Sequence, residues 1–271
     1  MVSSEPARDG FDTNVPHIAR VYDYWLGGKD NYAADRAAGD AALQAYPDLA
    51  SSVRANRAFL ARAVTYLVRD AGIRQFLDIG TGIPAANNTH EVAQAAAEEC
   101  SIVYVDNDPI VLAHARALLA STAEGETAYI NADLRNPGSI LEQAARVLDF
   151  REPIAVMLVA VLHCIADEDK PHEIVEQLMA ATTPGSCLTV SHPAADIAQA
   201  AGAEAARRYN ERAGDPATFR DHATVARFFD GLELVPPGLV KVPDWRPDSD
   251  LEAARRSNLW GGVAFKRRHP K

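Results

Sequence analysis

A glycine-containing loop carries the clearest chemical signal in the sequence. The apolar run from Phe76 to Ile79 leads into Gly80 and Gly82, which lie one residue apart, and the next helix begins several residues later. Glycines at that place let the backbone approach a ligand closely at the carboxyl end of a strand, where open α/β sheets bind ligands. The spacing from Gly80 to Ala85 also satisfies a permissive dinucleotide-binding pattern, so the loop alone does not identify the ligand.

Three features beside this loop help to choose between ligands. Asp78 precedes the first glycine, where its carboxylate can hold an ammonium group or a water molecule. Pro84 has no N–H, which removes one of the backbone donors that a pyrophosphate needs. The following helix is delayed to residues 87–89, so its N-terminus is poorly placed to bind phosphate. A ligand with an amino group and a ribose but no phosphate fits better, and S-adenosylmethionine is such a ligand.

Two further aspartates follow the next two predicted strands. Asp106 ends an apolar strand, where a carboxylate can accept hydrogen bonds from the ribose hydroxyls of either NAD or S-adenosylmethionine. Its alternative role is a helix cap, but Asp108 before Pro109 is the better cap. Asp133 can accept from an adenine amino group, with the Leu134 amide facing the ring, although a surface aspartate in a turn is the alternative.

These aspartates and the glycine loop resemble the cofactor motifs of class I S-adenosylmethionine-dependent methyltransferases. A closer resemblance is to an actinobacterial family of these enzymes that was catalogued as a domain of unknown function. The segments that carry it read ARVYDYWLGGKDN at 19–31, RANRAF at 54–59 and LDIGTGIP at 77–84. The similarity runs from about Pro16 to the C-terminus. It implies a Rossmann-like sheet of seven strands, with S-adenosylmethionine as cofactor and S-adenosylhomocysteine as product, but no settled substrate.

Further candidate cofactor residues come from other segments. One apolar helical face is shared by Ile18, Val21, Tyr22 and Trp25. Tyr24 lies off that face and Asn31 follows the double glycine at 27–28, so both are available to a ligand. Arg57 interrupts an Ala- and Leu-rich helix and is placed to reach the methionine carboxylate, with a solvated surface charge as the alternative. Asn107, beside Asp106, completes the candidate set.

The candidate catalytic residue is His163. Methyl transfer is an in-line displacement, so a base is needed only when the acceptor must lose a proton. His163 follows the apolar strand candidate 154–162, beside the expected cofactor, and His192 is a weaker second candidate. The alternative is a hydrogen-bonded core histidine. Cys100, Cys164 and Cys187 are widely spaced, so no metal site is predicted.

The elements that must position these residues alternate along the chain after a helical first quarter. The expected helices of that quarter run from an Asn14 cap to Gly27, from Ala33 to Tyr46, and from an Asp48 cap to Gly72. The strand candidates are 75–79, 102–105, 127–131, 154–162 and 186–190. The helices between them are expected over 89–98, 109–120, 140–148 and 170–181. Such alternation predicts a doubly wound, mostly parallel α/β sheet.

Other signals concern single elements and the later part of the chain. Ser139 and Glu142 match a capping box. An Ala- and Arg-rich helix is expected over 194–212, followed by a helix capped by Asp221. Two late strands, 232–236 and 262–266, are expected within an antiparallel edge hairpin formed by 231–245 and 260–265. The two late tryptophans, Trp245 and Trp260, can wall an acceptor pocket or simply pack.

The domain organisation follows from the same order of predicted helices and strands. Residues 1–13 are polar and expected to be disordered. Residues 14–271 form one methyltransferase domain, with a helical lid over 14–72 and an α/β core over 73–271. Within the lid, residues 17–35 are expected to close over the cofactor, because they contain a short amphipathic helix followed by polar residues.

Composition excludes several classes of partner. Lys and Arg total 27 against 37 Asp and Glu, a net charge of −10 that argues against nucleic acid and anionic membranes. The longest uncharged stretch is too short to span a bilayer, and the N-terminus lacks the basic and apolar run of a signal peptide. A cytoplasmic protein is therefore expected.

These signals together favour an S-adenosylmethionine-dependent methyltransferase that acts on a small-molecule acceptor. One alternative is a non-catalytic S-adenosylmethionine binder that works as a sensor or partner protein, because no unmistakable catalytic residue is visible. A nicotinamide-dependent oxidoreductase is the other alternative, and it needs pyrophosphate binding at a loop that contains Pro84.

Overall fold

The computed structural model describes residues 12–111, 113, 125–213 and 216–267. Two predictions therefore fall largely outside the described residues. The disorder expected over 1–13 concerns residues of which only 12 and 13 are described, and of the helix expected over 109–120 only 109–111 and 113 are described.

Helices and strands alternate along the chain much as the sequence predicts. The helices are α1 Ile18–Leu26, α2 Ala33–Ala45, α3 Leu49–Arg69, α4 Thr89–Ala96, α5 Pro137–Ala144, α6 Pro171–Ala180, α7 Gln199–Asn210, α8 His222–Ala226 and α9 Asp250–Ala253. The strands are β1 Gln75–Ile79, β2 Ser101–Asp106, β3 Thr127–Asn131, β4 Ile154–Val159, β5 Cys187–Pro193, β6 Glu233–Leu234, β7 Val240–Lys241 and β8 Leu259–Phe265. No helix within the described residues is both long and apolar enough to cross a membrane.

The strands form one mostly parallel sheet. Its parallel part has the order β3-β2-β1-β4-β5, and β8 joins β5 in antiparallel orientation. The short strands β6 and β7 both pair with β8, near its opposite ends, as the predicted edge hairpin requires. β6 and β7 occupy the same position in the sheet, on one side of β8. They are two short strands rather than one, because Pro236 and Pro237 between them lack the N–H donors of a continuous strand. The predicted fold class, with its N-terminal helices, is confirmed.

Helices cover both faces of this sheet, because the central strands are apolar on both sides. α5 and α6 bury Ile140 and Leu178 against one face. α3 and α4 bury Phe59 and Ala93 against the other, where the fully buried Trp245 ring packs edge-on against Phe59 with 5.5 Å between ring centroids. Trp245 is therefore a packing residue. The helix α3, which the sequence predicts to be part of the lid, packs against this face of the sheet.

Three helices pack together beyond the sheet, and we call α1, α2 and α7 the cap. Two small apolar clusters join them, one around Val21, Ala38 and Tyr209 and the other around Ala42 and Ala205. The cap thus combines the N-terminal helices with a helix that follows β5. That the chain from 14 to 271 is one domain stays a prediction.

Several predicted element ends are wrong, each for a local reason. The cap of α1 is His17 rather than Asn14. Asn136 caps α5 by accepting the Ser139 N–H at 3.3 Å, so Ser139 and Glu142 form no capping box there. The fourth strand stops at Val159 because the following residue, Ala160, has a φ of 54°, which ends the extended backbone.

Candidate cofactor site and active site

The carboxyl ends of β1, β2 and β4 and the segment after β3 meet at one edge of the sheet, and a cavity lies there beneath α1. Its volume is about 1220 Å³ with its open mouth included. Eight of the predicted cofactor residues line it: Arg57, Asp78, Gly80, Gly82, Asp106, Asn107, Asp133 and Leu134. The sequence therefore brings the residues of four separate segments to one place.

The glycine loop is held in a conformation that only glycine adopts readily. Gly80 and Gly82 have φ values of 73° and 66°. A Cβ at Gly80 would lie 2.2 Å from Val161 Cγ2, so a side chain has no room there. The Gly80 N–H donates to the Val105 carbonyl oxygen at 2.8 Å, which ties the loop to the end of β2. The loop thus presents bare backbone to the cavity.

Asp106 and Asp108 divide the two tasks that the sequence left open. The Asp106 carboxylate accepts the Gly82 N–H at 2.8 Å and the Asp108 N–H at 2.9 Å, so its direction is fixed. Asp108 caps the following helical residues, because its Oδ1 accepts the Ile110 N–H at 2.8 Å. Burial raises the pKa of Asp106, although these two N–H groups oppose the shift. Asp106 therefore faces the cavity with both oxygens oriented.

Asp78 is a buried carboxyl group at the end of β1. Its Oδ2 accepts a hydrogen bond of 2.6 Å from the Thr89 hydroxyl, and only 4% of the residue is exposed. Burial raises the pKa of Asp78 to about 6. No basic side chain of the described residues forms an ion pair with it within 4 Å, so a cationic ligand would stabilise its charged form.

Arg57 offers an unused donor to the cavity. Its Nη2 donates to the carbonyl oxygens of Ala86 and Asn87 at 2.9 and 2.8 Å, which holds the loop before α4. Its Nε is buried and has no hydrogen-bond partner among the described residues. A buried N–H without a partner is costly, and a carboxylate of a ligand would satisfy it.

Asp133 and Leu134 lie at the other end of the cavity with a residue that the sequence analysis missed. Arg135 donates from its backbone to Asp133 Oδ1 at 2.8 Å and from Nη1 to Asp133 Oδ2 at 3.0 Å. Its Nε donates to Asp169 at 2.9 Å. Arg135 thereby joins the loop after β3 to the loop after β4. The Asp-x-Arg spacing was a possible signal, but Asp169 comes close only through the fold.

The helix α1 covers the cavity with one face. Its lining residues are Ile18, Ala19, Tyr22, Asp23 and Leu26. It lies close to the glycine loop, since a Cβ at Gly82 would be 4.0 Å from Ala19 Cβ. Asn56 on α3 donates to the Tyr22 hydroxyl at 2.9 Å and accepts from the Ser191 hydroxyl at 2.6 Å, which links α1 through α3 to β5.

Two predicted cofactor residues of this region do not line the cavity. Tyr24 projects toward α2, where its hydroxyl donates to Asp40 at 2.6 Å. Asn31 uses its amide to bind Asp23 Oδ2 at 2.8 Å and the Gly28 carbonyl oxygen at 3.0 Å. The predicted apolar face divides, because Val21 and Trp25 pack toward α2 whereas Ile18 and Tyr22 line the cavity. The cofactor roles of Tyr24 and Asn31 stay predictions.

His163 also lies outside the cavity lining. It is 6% exposed, and its ring packs edge-on against His192 and Phe219. Burial, and then the positive charge of Arg220, lower the pKa of His163 to about 4. Its Nδ1 is buried without a partner among the described residues. These observations favour the alternative of a buried core histidine, because the ring does not line the cavity and does not hold a proton readily at neutral pH, and the role of His163 as a base stays a prediction.

The remaining candidates of the sequence analysis are structural. His192 donates from Nδ1 to the Pro193 carbonyl oxygen at 2.8 Å, and its Nε2 accepts from Arg220 Nη1 at 3.0 Å. Trp260 donates from Nε1 to Asp196 at 2.8 Å, away from the cavity. Within the described residues, no group of three or more His, Cys, Asp or Glu side chains is arranged to hold a metal ion.

The sequence also matches a known family over nearly its whole length. A family model described as S-adenosyl methyltransferase matches residues 4–267. Among curated proteins, none matches the chain.

Two solved structures share both fold and sequence with the chain. A DUF574 family protein from Streptomyces avermitilis MA-4680 is 46% identical, with a TM-score of 0.91 over 94% of this chain and 99% of that one. A candidate methyltransferase from Thermobifida fusca YX is 40% identical, with a TM-score of 0.88 over 95% of this chain and 97% of that one. An O-methyltransferase family protein from Burkholderia thailandensis, 14% identical with a TM-score of 0.53 over 82% of this chain and 60% of that one, shares the fold alone.

Proposed function

The chain belongs to the S-adenosyl methyltransferase family, whose model matches residues 4–267, and on that premise we propose that it methylates a small-molecule acceptor bound beneath α1. It is an S-adenosylmethionine-dependent methyltransferase. The observation that carries the acceptor proposal is the enclosure of the cavity by α1, because a covered cavity admits a small molecule more readily than a nucleic acid or a folded protein. The net charge of −10 also disfavours nucleic acid.

The residues of the cavity fit this cofactor. The left-handed glycines leave room for a ligand against the backbone, and the orphaned Arg57 Nε suits a carboxylate. Asp78 suits an ammonium group, and the oriented Asp106 carboxylate suits two ribose hydroxyls. We propose these four contacts, and Asp133 with the Leu134 amide for the adenine ring.

Bound S-adenosylmethionine supplies a methyl group on a positively charged sulfur. We propose that Arg57 and Asp78 orient the amino acid end of the cofactor while Asp106 fixes the ribose end. Ala19, Tyr22 and the rest of the covering face of α1 exclude water from the space between them. Positioning of this kind can supply much of the acceleration of an in-line displacement. Because His163 lies outside the cavity lining, we assign it no proton transfer.

The actinobacterial grouping and the cytoplasmic location remain proposals. The relatives from Streptomyces and Thermobifida support the actinobacterial grouping. A cytoplasmic location rests on the sequence features alone.

Calorimetric titration tests the binding part of this proposal. S-adenosylhomocysteine should bind the wild-type protein, and NAD should not. Asp106→Ala should weaken S-adenosylhomocysteine binding by about 1.5–3 kcal/mol, because the ribose loses a charged acceptor. Asp70→Ala is the matched control, since Asp70 is exposed at the end of α3. An unchanged dissociation constant in Asp106→Ala would remove Asp106 from the site.

Turnover tests the acceptor. The protein is incubated with S-adenosylmethionine and a small-metabolite extract, and S-adenosylhomocysteine is measured. Production that depends on a low-molecular-weight fraction supports the proposal. Binding without turnover in any such fraction would favour the non-catalytic binder, and tight NAD binding would favour the oxidoreductase.

A further inference from the structure

The cap residue that precedes the covering helix contacts the segment that orients the proposed ribose carboxylate. His17, the cap residue of α1, has its Nδ1 3.0 Å from Asp108 Oδ2. That oxygen is buried and has no other partner among the described residues. Asp108 in turn donates its N–H to Asp106, which also accepts the Gly82 N–H. One chain of contacts therefore runs from α1 to the glycine loop.

The chemistry of this contact requires a proton on His17 Nδ1. A carboxylate only accepts hydrogen bonds, so a nitrogen 3.0 Å from it must donate. The Ala19 N–H also lies 3.3 Å from the same nitrogen, which suits the unprotonated ring as a helix cap. The two contacts exclude each other, and the shorter one to a charged oxygen is the stronger.

We infer that His17 is a positioning residue that fastens α1 over the cofactor loop through its ion pair with Asp108. This inference rests on the proposed function, since the loop is taken to bind S-adenosylmethionine. The pair is well protected from solvent, because the Asp108 side chain is 3% exposed and that of His17 is 25% exposed. Opening of α1 would break it, so the pair favours the covered cavity.

The surroundings of His17 set the sign of its pH dependence. The charged and titratable groups around it are Asp12, Arg20, Asp35, Asp106, Asp108 and Tyr209. Burial alone would lower the pKa of His17, but the hydrogen bond and negative charge of Asp108 raise it above its ordinary value. Burial raises the pKa of Asp108, but the hydrogen bond and the positive charge of His17 lower it more, so this pKa lies below its ordinary value.

The ion pair is therefore complete below the ordinary pKa of histidine, and its charge is lost as the pH rises through the raised pKa of His17, which leaves at most a weaker hydrogen bond from a neutral Nδ1–H. In the open state the ring keeps its ordinary pKa, so a covered cavity and a protonated His17 favour each other. Cofactor binding that needs the covered cavity should weaken with rising pH for this reason.

The experiment measures the dissociation constant of S-adenosylhomocysteine by calorimetry at about pH 6, below the ordinary pKa of histidine, and at about pH 8.5, about two units above that ordinary value. Wild-type protein should lose roughly three- to tenfold in affinity between them, as for an ion pair of modest strength. His17→Gln should bind S-adenosylhomocysteine weakly at both pH values. His17→Lys keeps the positive charge and should bind it tightly at both.

Two controls complete the design. His222→Gln removes a histidine outside the cavity lining and should follow the wild type. Asp108→Asn keeps the capping oxygen for Ile110 but removes the charge, and should abolish the part of the pH difference that comes from His17. The titrations of Asp78 and of the ligand amino group are common to all variants, so they cancel when variants are compared.

Amide exchange gives a readout that does not depend on affinity. With S-adenosylhomocysteine present, protection of residues 18–26 should fall at the higher pH in the wild type and stay high in His17→Lys. If His17→Gln loses the same factor in affinity as the wild type, or if the protection of 18–26 is independent of pH, the inference is wrong. Failure of the wild type to bind at either pH would instead overturn the proposed function.

Discussion

The sheet and the cap are stabilised in different ways. The sheet buries a large apolar cluster on each face, whereas the two clusters of the cap are small and rich in alanine. The cap adds a buried ion pair of 3.1 Å between Arg20 and Asp35, and a hydrogen bond of 3.2 Å from Trp25 to the Gly39 carbonyl oxygen. Because apolar stabilisation grows with buried area, the cap should open at a lower free energy than the sheet unfolds. A stable sheet thus carries the proposed cofactor contacts, and a weaker layer covers them.

The largest expected effect on the free energy of unfolding comes from replacing a tryptophan of the sheet, and a tryptophan of the cap provides the comparison. Trp245→Ala should lower the free energy of unfolding by about 3–5 kcal/mol, since the ring is fully buried in the sheet. Trp25→Ala should cost less than about half of that, because this ring is half-buried and lies in the cap. Urea unfolding of both variants measures the difference. Equal costs would contradict the weaker stabilisation of the cap.

The next effect should be confined to the cap. Asp35 is fully buried and accepts hydrogen bonds from Arg20 Nε and from the N–H groups of His17 and Tyr32. Asp35→Ala leaves the Arg20 charge uncompensated, at a cost of about 3 kcal/mol. Amide exchange should show lost protection over residues 18–45 and unchanged protection over 101–106.

A matched control for this variant is Asp40→Ala. Asp40 lies on the same helix but is exposed, and its partner is the Tyr24 hydroxyl. Its loss should cost no more than about 0.5 kcal/mol. Equal loss of protection in the cap and in β2 after Asp35→Ala would show that the two regions are not separate in stability.

A smaller effect of opposite sign is expected inside the sheet. Burial raises the pKa of Asp78 from 3.8 to about 6, so the native state binds the proton more tightly than the unfolded chain. Stability should therefore fall as the pH rises from about 4 to about 6. Asp78→Asn removes this cost and should stabilise the protein at neutral pH by about 2–3 kcal/mol, while weakening S-adenosylhomocysteine binding.

Thermal unfolding of Asp78→Asn and wild type at about pH 4 and about pH 7 measures this effect. The gain should be present at the higher pH and absent at the lower one, where the wild-type carboxyl group is already neutral. A variant less stable than the wild type at neutral pH would show that the charged carboxylate contributes to folding.

The smallest effect concerns the two loops that Arg135 joins. This side chain is about one-third exposed, at 36%, so Arg135→Ala should change the free energy of unfolding by less than about 0.5 kcal/mol. Affinity for S-adenosylhomocysteine should fall about fivefold, because Asp133 and the loop after β4 lose a common partner. Calorimetry and urea unfolding separate the two results, and unchanged affinity would mean that these loops hold their places without Arg135.

The sheet could be predicted from the sequence largely because its signals are local. The strand bounds predicted from apolar runs agree with β1 and β3 to the residue. Asp78 in β1, Asp106 at the end of β2 and Asp133 after β3 reach one cavity because the carboxyl ends of parallel strands share an edge. The capping role of Asp108 also followed from a local pattern with Pro109.

The cap was harder to predict because its contacts join distant parts of the chain. Nothing beside Tyr24 in the sequence shows that α2 lies against it, so its hydroxyl was assigned to a ligand instead of Asp40. The sequence places His163 at the site because it follows a strand, but the ring packs against Phe219, which lies more than fifty residues later in the chain. The partners of Arg135 and His17 likewise become adjacent only in the folded protein.

The construction of the cap from two separated pieces of chain has a consequence for synthesis on the ribosome. α1 and α2 are made first, but the residues of α7 that bury Ala38 and Ala42 follow about 150 residues later. At ordinary elongation rates that delay is roughly 8–30 s. During this interval the two nascent helices have no α7 to pack against, so chaperones can bind their exposed apolar residues. A chain arrested before residue 199 should present them to a protease, and a chain released beyond residue 210 should not.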